Sequence, residues 1–218
     1  PSTRRTGFAG QNGIVENRPG ASALLALEQV SRAPADGYTL LVMANSSILA
    51  QALRSGPGHD IERDLAPVAV VAIQPLILLV HPAVPAQSVK EFIALARAKP
   101  GQINYGSSGV GGASQLAVTS LARTQLLPGA PSIAESGLNG YDAVVWYSVL
   151  GPAALPAEQA TQLNAAFNRL VAAPDMKENY ARQGLEPQAG TVQQLRALIR
   201  NETTQIQRLV KTANFKVE

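Results

Sequence analysis

Apolar strand-like runs alternate with amphipathic helical patterns along this sequence, and no other feature limits its fold as strongly. Residues 38–43 (Y-T-L-L-V-M) are almost continuously apolar, which is typical of a strand covered on both faces. They follow a helical pattern over residues 21–31, with leucines on one face and Glu28 and Gln29 on the other. The alternation predicts an α/β fold with a mostly parallel sheet.

The remaining regular structure is predicted from short-range signals. Three pairs of residues have the spacing of a capping box, and each should begin a helix: Ser88 with Glu91, Ser132 with Glu135 (a very short helix), and Thr191 with Gln194. Asp175 is expected to cap a shorter helix. Residues 55–64 are expected to form a loop. The predicted strands are residues 13–16, 38–43, 65–73, 76–80 and 143–150, and the predicted helices are residues 21–31, 88–98, 113–124, 156–173 and 175–182, with a last helix from residue 191.

Composition excludes several kinds of function. The sequence has no cysteine, which rules out disulfides, thiolate metal sites and cysteine nucleophiles, and its two histidines do not support a zinc site. We expect no metal and no cofactor. The net charge is +3, but the basic residues form no stripe with interleaved aromatics, so no nucleic-acid partner is expected. No apolar run has the length of a membrane span, and no signal peptide is visible in the chain.

Residues 104–117 (N-Y-G-S-S-G-V-G-G-A-S-Q-L-A) contain four glycines and three serines ahead of a predicted helix. Glycine tolerates positive φ, so such a loop can turn several backbone N–H groups toward one point, and a helix start adds further free N–H groups. The same composition is typical of an ordinary surface turn. From this Gly/Ser loop alone, a cradle for a carboxylate or phosphate and a simple turn both stay open.

Three polar residues, Asn45, Ser46 and Ser47, follow the predicted strand 38–43, at the sheet edge where open α/β sheets bind ligands. Asn and Ser are also preferred helix N-cap residues, so capping and ligand contact both stay open. His81 ends another predicted strand, and we expect it to make a structural hydrogen bond rather than to act as a catalyst.

Catalytic fingerprints are absent from the Gly/Ser loop. Ser108 is not in a G-x-S-x-G motif, because Val110 stands where the second glycine should be. No Lys-Ser or Lys-Thr pair follows Gly112, as a Walker loop requires. Serine hydrolysis would also need a histidine partner, and only His59 and His81 are present. We therefore expect that the chain is not an enzyme.

Several longer segments together resemble a known family. They are V-E-N-R-P-G-A at residues 15–21, A-D-G-Y-T-L-L at 35–41, L-A-P-V at 65–68, V-H-P-A-V-P-A-Q-S-V-K-E at 80–91, A-K-P-G-Q-I-N-Y-G-S-S-G at 98–109 and G-P-A-A-L-P at 151–156. In this order and at these intervals they resemble the tripartite tricarboxylate transporter receptors, also called the Bug family. These are bacterial periplasmic solute-binding proteins, and the resemblance runs through most of the chain.

The resemblance implies a type II periplasmic-binding-protein fold, in which crossing strands join two α/β lobes around a ligand cleft. Residues 1–103 and 148–218 should form the first lobe, and residues 104–147 the second. The implied function is a periplasmic receptor that captures a small organic anion, a carboxylate, by lobe closure. It would deliver this acid to the subunits of a tripartite tricarboxylate-type membrane transporter. We expect a monomer.

The resemblance also implies where the ligand binds. The loop at residues 105–114 matches a family loop that holds a carboxylate through backbone N–H groups, hydroxyls and ordered water. The implied ligand-binding residues of this loop are Ser107, Ser108, Gly109, Gly111, Gly112 and Ser114. Asn45 and Ser46 should lie across the cleft. Tyr105 and Trp146 are expected either to line the cleft or to be core aromatics.

The sequence departs from the family pattern in two places. The family's first strand, and its P-G-G-type loop with an aspartate, have no good match in residues 1–10. Much of the second lobe has no match near Ala117, because residues 117–120 (A-V-T-S) resemble a much later strand. Either the protein is shortened there, or the sequence joins two parts of a longer chain. We favour the second explanation, since a lobe without its central strands would expose unpaired edges. The second lobe is therefore expected to be incomplete.

A second function follows from the Gly/Ser loop without the resemblance. An α/β enzyme or sensor module could hold a phosphate-bearing ligand in the same loop. That alternative predicts a nucleophile, a metal site or an acid–base pair, none of which is found in the sequence.

Overall fold

The computed structural model describes residues 4–8, 11–20, 23–53, 58, 60–76, 78–100, 102–103, 135 and 144–213. The strands within these residues are β1 (Arg4–Phe8), β2 (Gln11–Val15), β3 (Leu41–Ala44), β4 (Leu65–Gln74), β5 (Val145–Pro152) and β6 (Glu186–Pro187). The helices are α1 (Leu24–Ser31), α2 (Ser46–Ala52), α3 (Ile61–Asp64), α4 (Val89–Ala98), α5 (Ala157–Ala172), α6 (Pro174–Arg182) and α7 (Val192–Ala213).

Four strands form the main sheet, in the order β3-β5-β4-β6. Leu41 of β3 pairs with Leu150 of β5, and Gln74 of β4 pairs with Val145 of β5. Each of these pairings is antiparallel, as is that of β4 with β6, so the predicted mostly parallel sheet is wrong for the described part of the chain. β3 and β4 do run parallel to each other, but β5 lies between them.

Strands β4 and β5 are apolar because both faces of the sheet are covered along them, whatever the strand direction. Successive residues of a strand point to opposite faces. Accordingly, Leu150 belongs to one buried cluster, which includes residues of α1, α2 and α7, whereas Val149 belongs to a second cluster, which includes residues of α5. In β3, however, Val42 is 66% exposed, so the prediction that the run 38–43 is covered on both faces is wrong. A continuous apolar run establishes neither two-sided burial nor a parallel sheet.

Strand β4 carries two irregularities in its register with β5. The pairing skips Val68 and again Val71, so neither residue has a direct partner on β5. Other groups satisfy both carbonyls. The Asn164 amide donates to the Val68 carbonyl at 2.8 Å, and the backbone N–H of Gln188 donates to the Val71 carbonyl at 3.2 Å. The bulges therefore tie β4 to α5 and to the segment around β6.

Two of the three predicted capping boxes begin helices; the third, at residues 132–135, and the predicted helix at 113–124 lie outside the described residues, apart from Glu135. The Ser88 hydroxyl accepts from the Glu91 N–H at 3.2 Å at the start of α4. At the start of α7, the Thr191 hydroxyl accepts from the Gln194 N–H at 3.1 Å, and the Gln194 side chain accepts from the Thr191 N–H at 2.7 Å. These predictions were correct because a capping box depends on residues only three positions apart.

Three local predictions were wrong. Ala173, not Asp175, is the N-cap of α6, because Pro174 occupies the first helical position, where its missing N–H costs nothing. Residues 76 and 78–80 are not in a strand, and Leu79 is 85% exposed, so this short run is not buried in a sheet. The expected loop at residues 55–64 contains α3, which the Asp60 carboxylate caps through two N–H groups.

A separate two-stranded sheet was not predicted as such. β1 pairs antiparallel with β2, with Arg4 opposite Val15. Only β2 had a sequence signal, since β1 (R-R-T-G-F) lacks an apolar alternation. The predicted helix at residues 21–31 begins at Leu24, and the predicted strand at 38–43 is shifted to 41–44.

Candidate functional site

The carboxyl end of β3 places two of the predicted ligand-binding residues beside a third. Ala44 pairs with Tyr147, and the backbone N–H of Asn45 donates to the Trp146 carbonyl at 3.1 Å. The end of β4 lies at the same edge, because Gln74 pairs with Val145. Asn45, Ser46 and Trp146 are therefore neighbours at one edge of the sheet.

Asn45 is the N-cap residue of α2, as the sequence allowed, but its side chain does not cap the helix. Its backbone is already helical (φ −60°, ψ −18°), whereas a capping side chain normally requires an extended residue. The amide instead donates to the Val144 carbonyl at 2.9 Å and to Glu202 Oε1 at 2.6 Å. Both amide hydrogens are thus committed to neighbouring elements.

The remaining polar atom of Asn45 is its Oδ1. This atom is buried and has no hydrogen-bond donor within the described residues. Asn45 as a whole is only 8% exposed. Its described contacts favour a role in fixing the local structure, whereas half-buried Ser46 keeps some access to solvent. A direct ligand contact of either residue stays a prediction.

Trp146 is 2% exposed and belongs to the cluster on the α1, α2 and α7 side of the sheet. Its indole N–H donates to Glu202 Oε2. These contacts are those of a core aromatic, the second of the two expectations for this residue. To line the cleft, Trp146 would have to become more exposed, and this role stays a prediction.

Glu202 was not identified from the sequence, although it joins two of the predicted residues. It lies on α7, 157 residues after Asn45 in the chain. One signal was present: Glu202 lies between Ile199 and Ile206, three and four residues away, and both isoleucines are buried. An acidic residue within the buried stripe of a helix needs a polar partner, which a helical projection of this segment would have shown.

The Gly/Ser loop and its neighbours lie outside the described residues. This concerns Tyr105, Ser107, Ser108, Gly109, Gly111, Gly112 and Ser114. Their expected approach to Asn45 and Ser46 therefore stays a prediction. His81 is described, and its Nδ1 accepts from the Ala83 N–H at 3.1 Å, the kind of structural hydrogen bond that was predicted for it.

Tyr147 stands next to Trp146 but faces the other side of the sheet. Its hydroxyl donates to Gln74 Oε1 at 2.7 Å. Burial raises the pKa of Tyr147, because the charged phenolate would lose its hydration. The neutral phenol therefore serves as a donor at this edge and does not act as a base near neutral pH.

A cavity of about 230 Å³ lies at the opposite edge of the sheet, where β4 begins and β5 ends. Leu65, Ala66 and Pro67 form part of its wall, together with residues from the starts of α3, α5 and α7. Arg63 at its rim is paired with Asp64, with 2.6 Å between Nε and Oδ1. The hydrogen bond that Arg63 donates to this carboxylate raises the pKa of Arg63. This cavity contains none of the predicted site residues.

The described part of the chain lacks two further features. It contains no group of three or more histidine, cysteine or acidic side chains that could hold a metal ion. Among its helices, none combines the length and the apolarity needed to cross a membrane.

Known proteins of similar sequence and structure align along nearly the whole chain. A UPF0065 protein of Bordetella bronchiseptica is 29% identical over 269 residues, which covers 99% of this chain and 80% of the relative. The periplasmic binding protein BugD has a TM-score of 0.76 at 21% identity, covering 96% of this chain and 89% of that one. Rpa4515 of R. palustris, solved with adipate, has a TM-score of 0.77 at 25% identity, covering 94% and 88%. The expected periplasmic-binding-protein fold is confirmed.

The alignment with the Bordetella bronchiseptica protein is longer than this chain, which has 218 residues. That relative therefore has residues with no counterpart here. The family described as "Tripartite tricarboxylate transporter family receptor" matches in two stretches, residues 5–126 and 111–215. Together these stretches contain nearly the whole chain. This chain belongs to the tripartite tricarboxylate transporter family of receptors.

Proposed function

We propose that this chain is a periplasmic solute-binding receptor that captures a small organic acid as its carboxylate. Two lobes would close around the acid, and the receptor would then deliver it to the membrane subunits of a tripartite tricarboxylate-type transporter. The observation that carries this proposal is the family match, whose two stretches contain all of the predicted site residues. Binding and release are sufficient for such a role, and we expect no catalysis.

The proposed ligand class is supported by a structurally similar protein that was solved with its ligand. Rpa4515 of R. palustris was solved with adipate, a dicarboxylate, and it resembles this chain along most of both lengths. A cradle of backbone N–H groups in the Gly/Ser loop suits a carboxylate oxygen, which accepts several hydrogen bonds at once. The net charge of +3 adds a weak attraction for anions.

The proposed site has two sides. Ser107, Ser108 and Ser114, with the loop glycines, would hold one carboxylate, and Ser46 at the end of β3 would approach from the other lobe. Tyr105 would line the cleft. The lobe division proposed for this arrangement, residues 1–103 and 148–218 against 104–147, has its second boundary inside β5 (Val145–Pro152). Strand β5 would then be one of the connections between the lobes.

A thermal-shift panel tests the proposed function. The panel contains adipate, succinate, citrate and benzoate, with inorganic phosphate and a nucleoside monophosphate as the competing class. A ligand at a hundred times its dissociation constant should add about 2.7 kcal/mol to the free energy of unfolding. For a chain of this size the melting temperature should rise by roughly 5–11 °C. Stabilisation by phosphates and by no carboxylate would favour the phosphate-binding alternative and refute the receptor.

Serine variants test the proposed site within that assay. We expect S108A and S46A each to weaken binding of the best acid by about tenfold, since each removes one hydrogen bond to a charged group. S31A is the matched control: the Ser31 hydroxyl, at the end of α1, donates to the Glu28 carbonyl at 2.9 Å and lies outside the proposed site. Equal binding by all three variants would remove the proposed site while leaving the receptor function intact.

A further inference from the structure

The carboxylate of Glu202 joins three elements at the edge of the sheet that carries the proposed site. Its Oε1 accepts from the Asn45 amide at 2.6 Å, and its Oε2 accepts from the Trp146 indole N–H. Asn45 leads into α2, Trp146 lies on β5, and Glu202 itself is on α7. One side chain of α7 therefore holds both β5 and Asn45, the residue directly before Ser46, with which α2 begins.

The contact with Glu202 also fixes which way the Asn45 amide points. Its nitrogen meets two acceptors, Glu202 Oε1 and the Val144 carbonyl, at 2.6 and 2.9 Å. Flipping the amide would place Oδ1 against both oxygens and would leave two part-buried acceptors without this donor, which is unfavourable. Hydrogen bonds to a carboxylate are also shorter and stronger than those between neutral groups. The position of Asn45 is therefore set from α7.

We propose that Glu202 is a positioning residue of the ligand site: it holds Asn45 and Trp146 so that Ser46 is placed for binding before the ligand arrives. This inference rests on the proposed function. It assigns to α7 a part in binding that the predicted ligand-binding residues do not include. A site that must first be ordered binds more weakly, because part of the interaction with the ligand is used to order it.

The substitution E202Q tests this role with almost no change of shape. Glutamine has one acceptor oxygen and one NH₂ group, so either the Asn45 amide or the Trp146 indole would face a donor instead of an acceptor. We expect the dissociation constant of the best-binding acid from the panel above to rise about tenfold, or about 1.4 kcal/mol. Isothermal titration calorimetry well below the melting temperature of both proteins would measure it.

The control is N164A, which removes a polar side chain on α5 that is as buried as Asn45 and lies outside the proposed site. Asn164 and Asn45 are each 8% exposed, and the Asn164 amide donates to two main-chain carbonyls, of Val68 and Gly190, both at 2.8 Å. We expect N164A to lower the melting temperature and to leave the dissociation constant within twofold of wild type. Equal weakening in E202Q and N164A would show a general loss of stability and would overturn the proposal.

The single tryptophan provides a second readout, which a merely structural role would not change. Trp146 is the only tryptophan of the chain and donates directly to Glu202. Ligand binding should alter its fluorescence in wild type, and this response should be lost in E202Q. If E202Q does not fold, W146F removes one of the two Glu202 contacts and should weaken the calorimetric titration in the same direction.

The outcomes separate the two proposals. An acid that binds wild type and E202Q equally would overturn the role of Glu202 and leave the receptor function standing. W146F with unchanged affinity would do the same. A wild-type protein that binds no acid of the panel would refute the receptor function, and the positioning role would fall with it.

Discussion

Replacing Asn164 by alanine removes three hydrogen bonds from the interior, and we expect it to lower the free energy of unfolding by about 3 kcal/mol. The Asn164 amide donates to the carbonyls of Val68 and Gly190, and its Oδ1 accepts from the Asn168 amide at 3.0 Å. Val68 is one of the two residues that the β4–β5 register skips, and its carbonyl accepts from this side chain. At about 1 kcal/mol for each neutral hydrogen bond, three bonds give this magnitude.

Urea unfolding followed by circular dichroism would measure the change, and a thermal melt should show a fall of roughly 6–12 °C. N168A is the control: half-buried Asn168 also bonds to Gly190, but water can replace part of these bonds. We expect it to cost about 1 kcal/mol. The reasoning is refuted if N164A costs no more than N168A.

The isosteric substitution N164D separates the effect of polarity from that of volume. An aspartate would direct a carboxylate oxygen at the two carbonyl oxygens that the amide now serves, so N164D should be less stable than N164A near neutral pH. Burial beside two acceptors raises the pKa of this carboxyl, because its protonated form can donate. The deficit of N164D should therefore shrink as the pH falls through that raised pKa. A deficit independent of pH would contradict this account.

Two further predictions concern α7 and Tyr147. T191A breaks the capping box of α7 and should lower the free energy of unfolding, measured in urea, by about 1 kcal/mol. T204A, at an exposed position within the same helix, is the control and should lower it much less. Equal losses would show that the capping box contributes no stability. Burial raises the pKa of Tyr147 above its ordinary 10.0. The stability that the neutral phenol contributes is therefore fully present below pH 10.0 and is lost as the pH rises through the folded-state pKa. Alkaline unfolding curves should therefore fall less steeply for Y147F, and identical curves for the two proteins would count against this.

The accuracy of the sequence predictions depended on the range of the interactions involved. The break after α1 at residues 35–37 was predicted from Ala-Asp-Gly. In the structure Gly37 has φ +79°, and the Asp36 carboxylate accepts from the Tyr38 N–H at 3.0 Å. A turn of this kind depends on a few adjacent residues. The capping boxes at Ser88 and Thr191 were predicted for the same reason.

Strand direction and the partner of Asn45 could not be predicted in this way. β3 ends at residue 44 and pairs with β5, which begins only at residue 145. The composition of neither strand indicates whether its partner runs parallel or antiparallel to it. Asn45 was recognised as a cap or a ligand contact, but its amide is taken by Glu202 at a separation of 157 residues. Only the place of the half-buried Glu202 between two buried isoleucines of α7 indicated that a polar partner was needed.

The pairing of Gln74 with Val145 has a consequence for how this protein can vary in length. The last residue of β4, Gln74, lies directly beside the first residue of β5, Val145, so the connection between the two strands begins and ends at neighbouring positions. The entropic cost of closing such a connection grows only with the logarithm of its length, so that doubling the length costs about 0.6 kcal/mol. The relative from Bordetella bronchiseptica has residues with no counterpart in this chain. Residues gained or lost within this connection would leave the register of β4 and β5 unchanged. Its length can therefore change in evolution while the pairing of the two strands and the sheet edge that bears Asn45 stay the same.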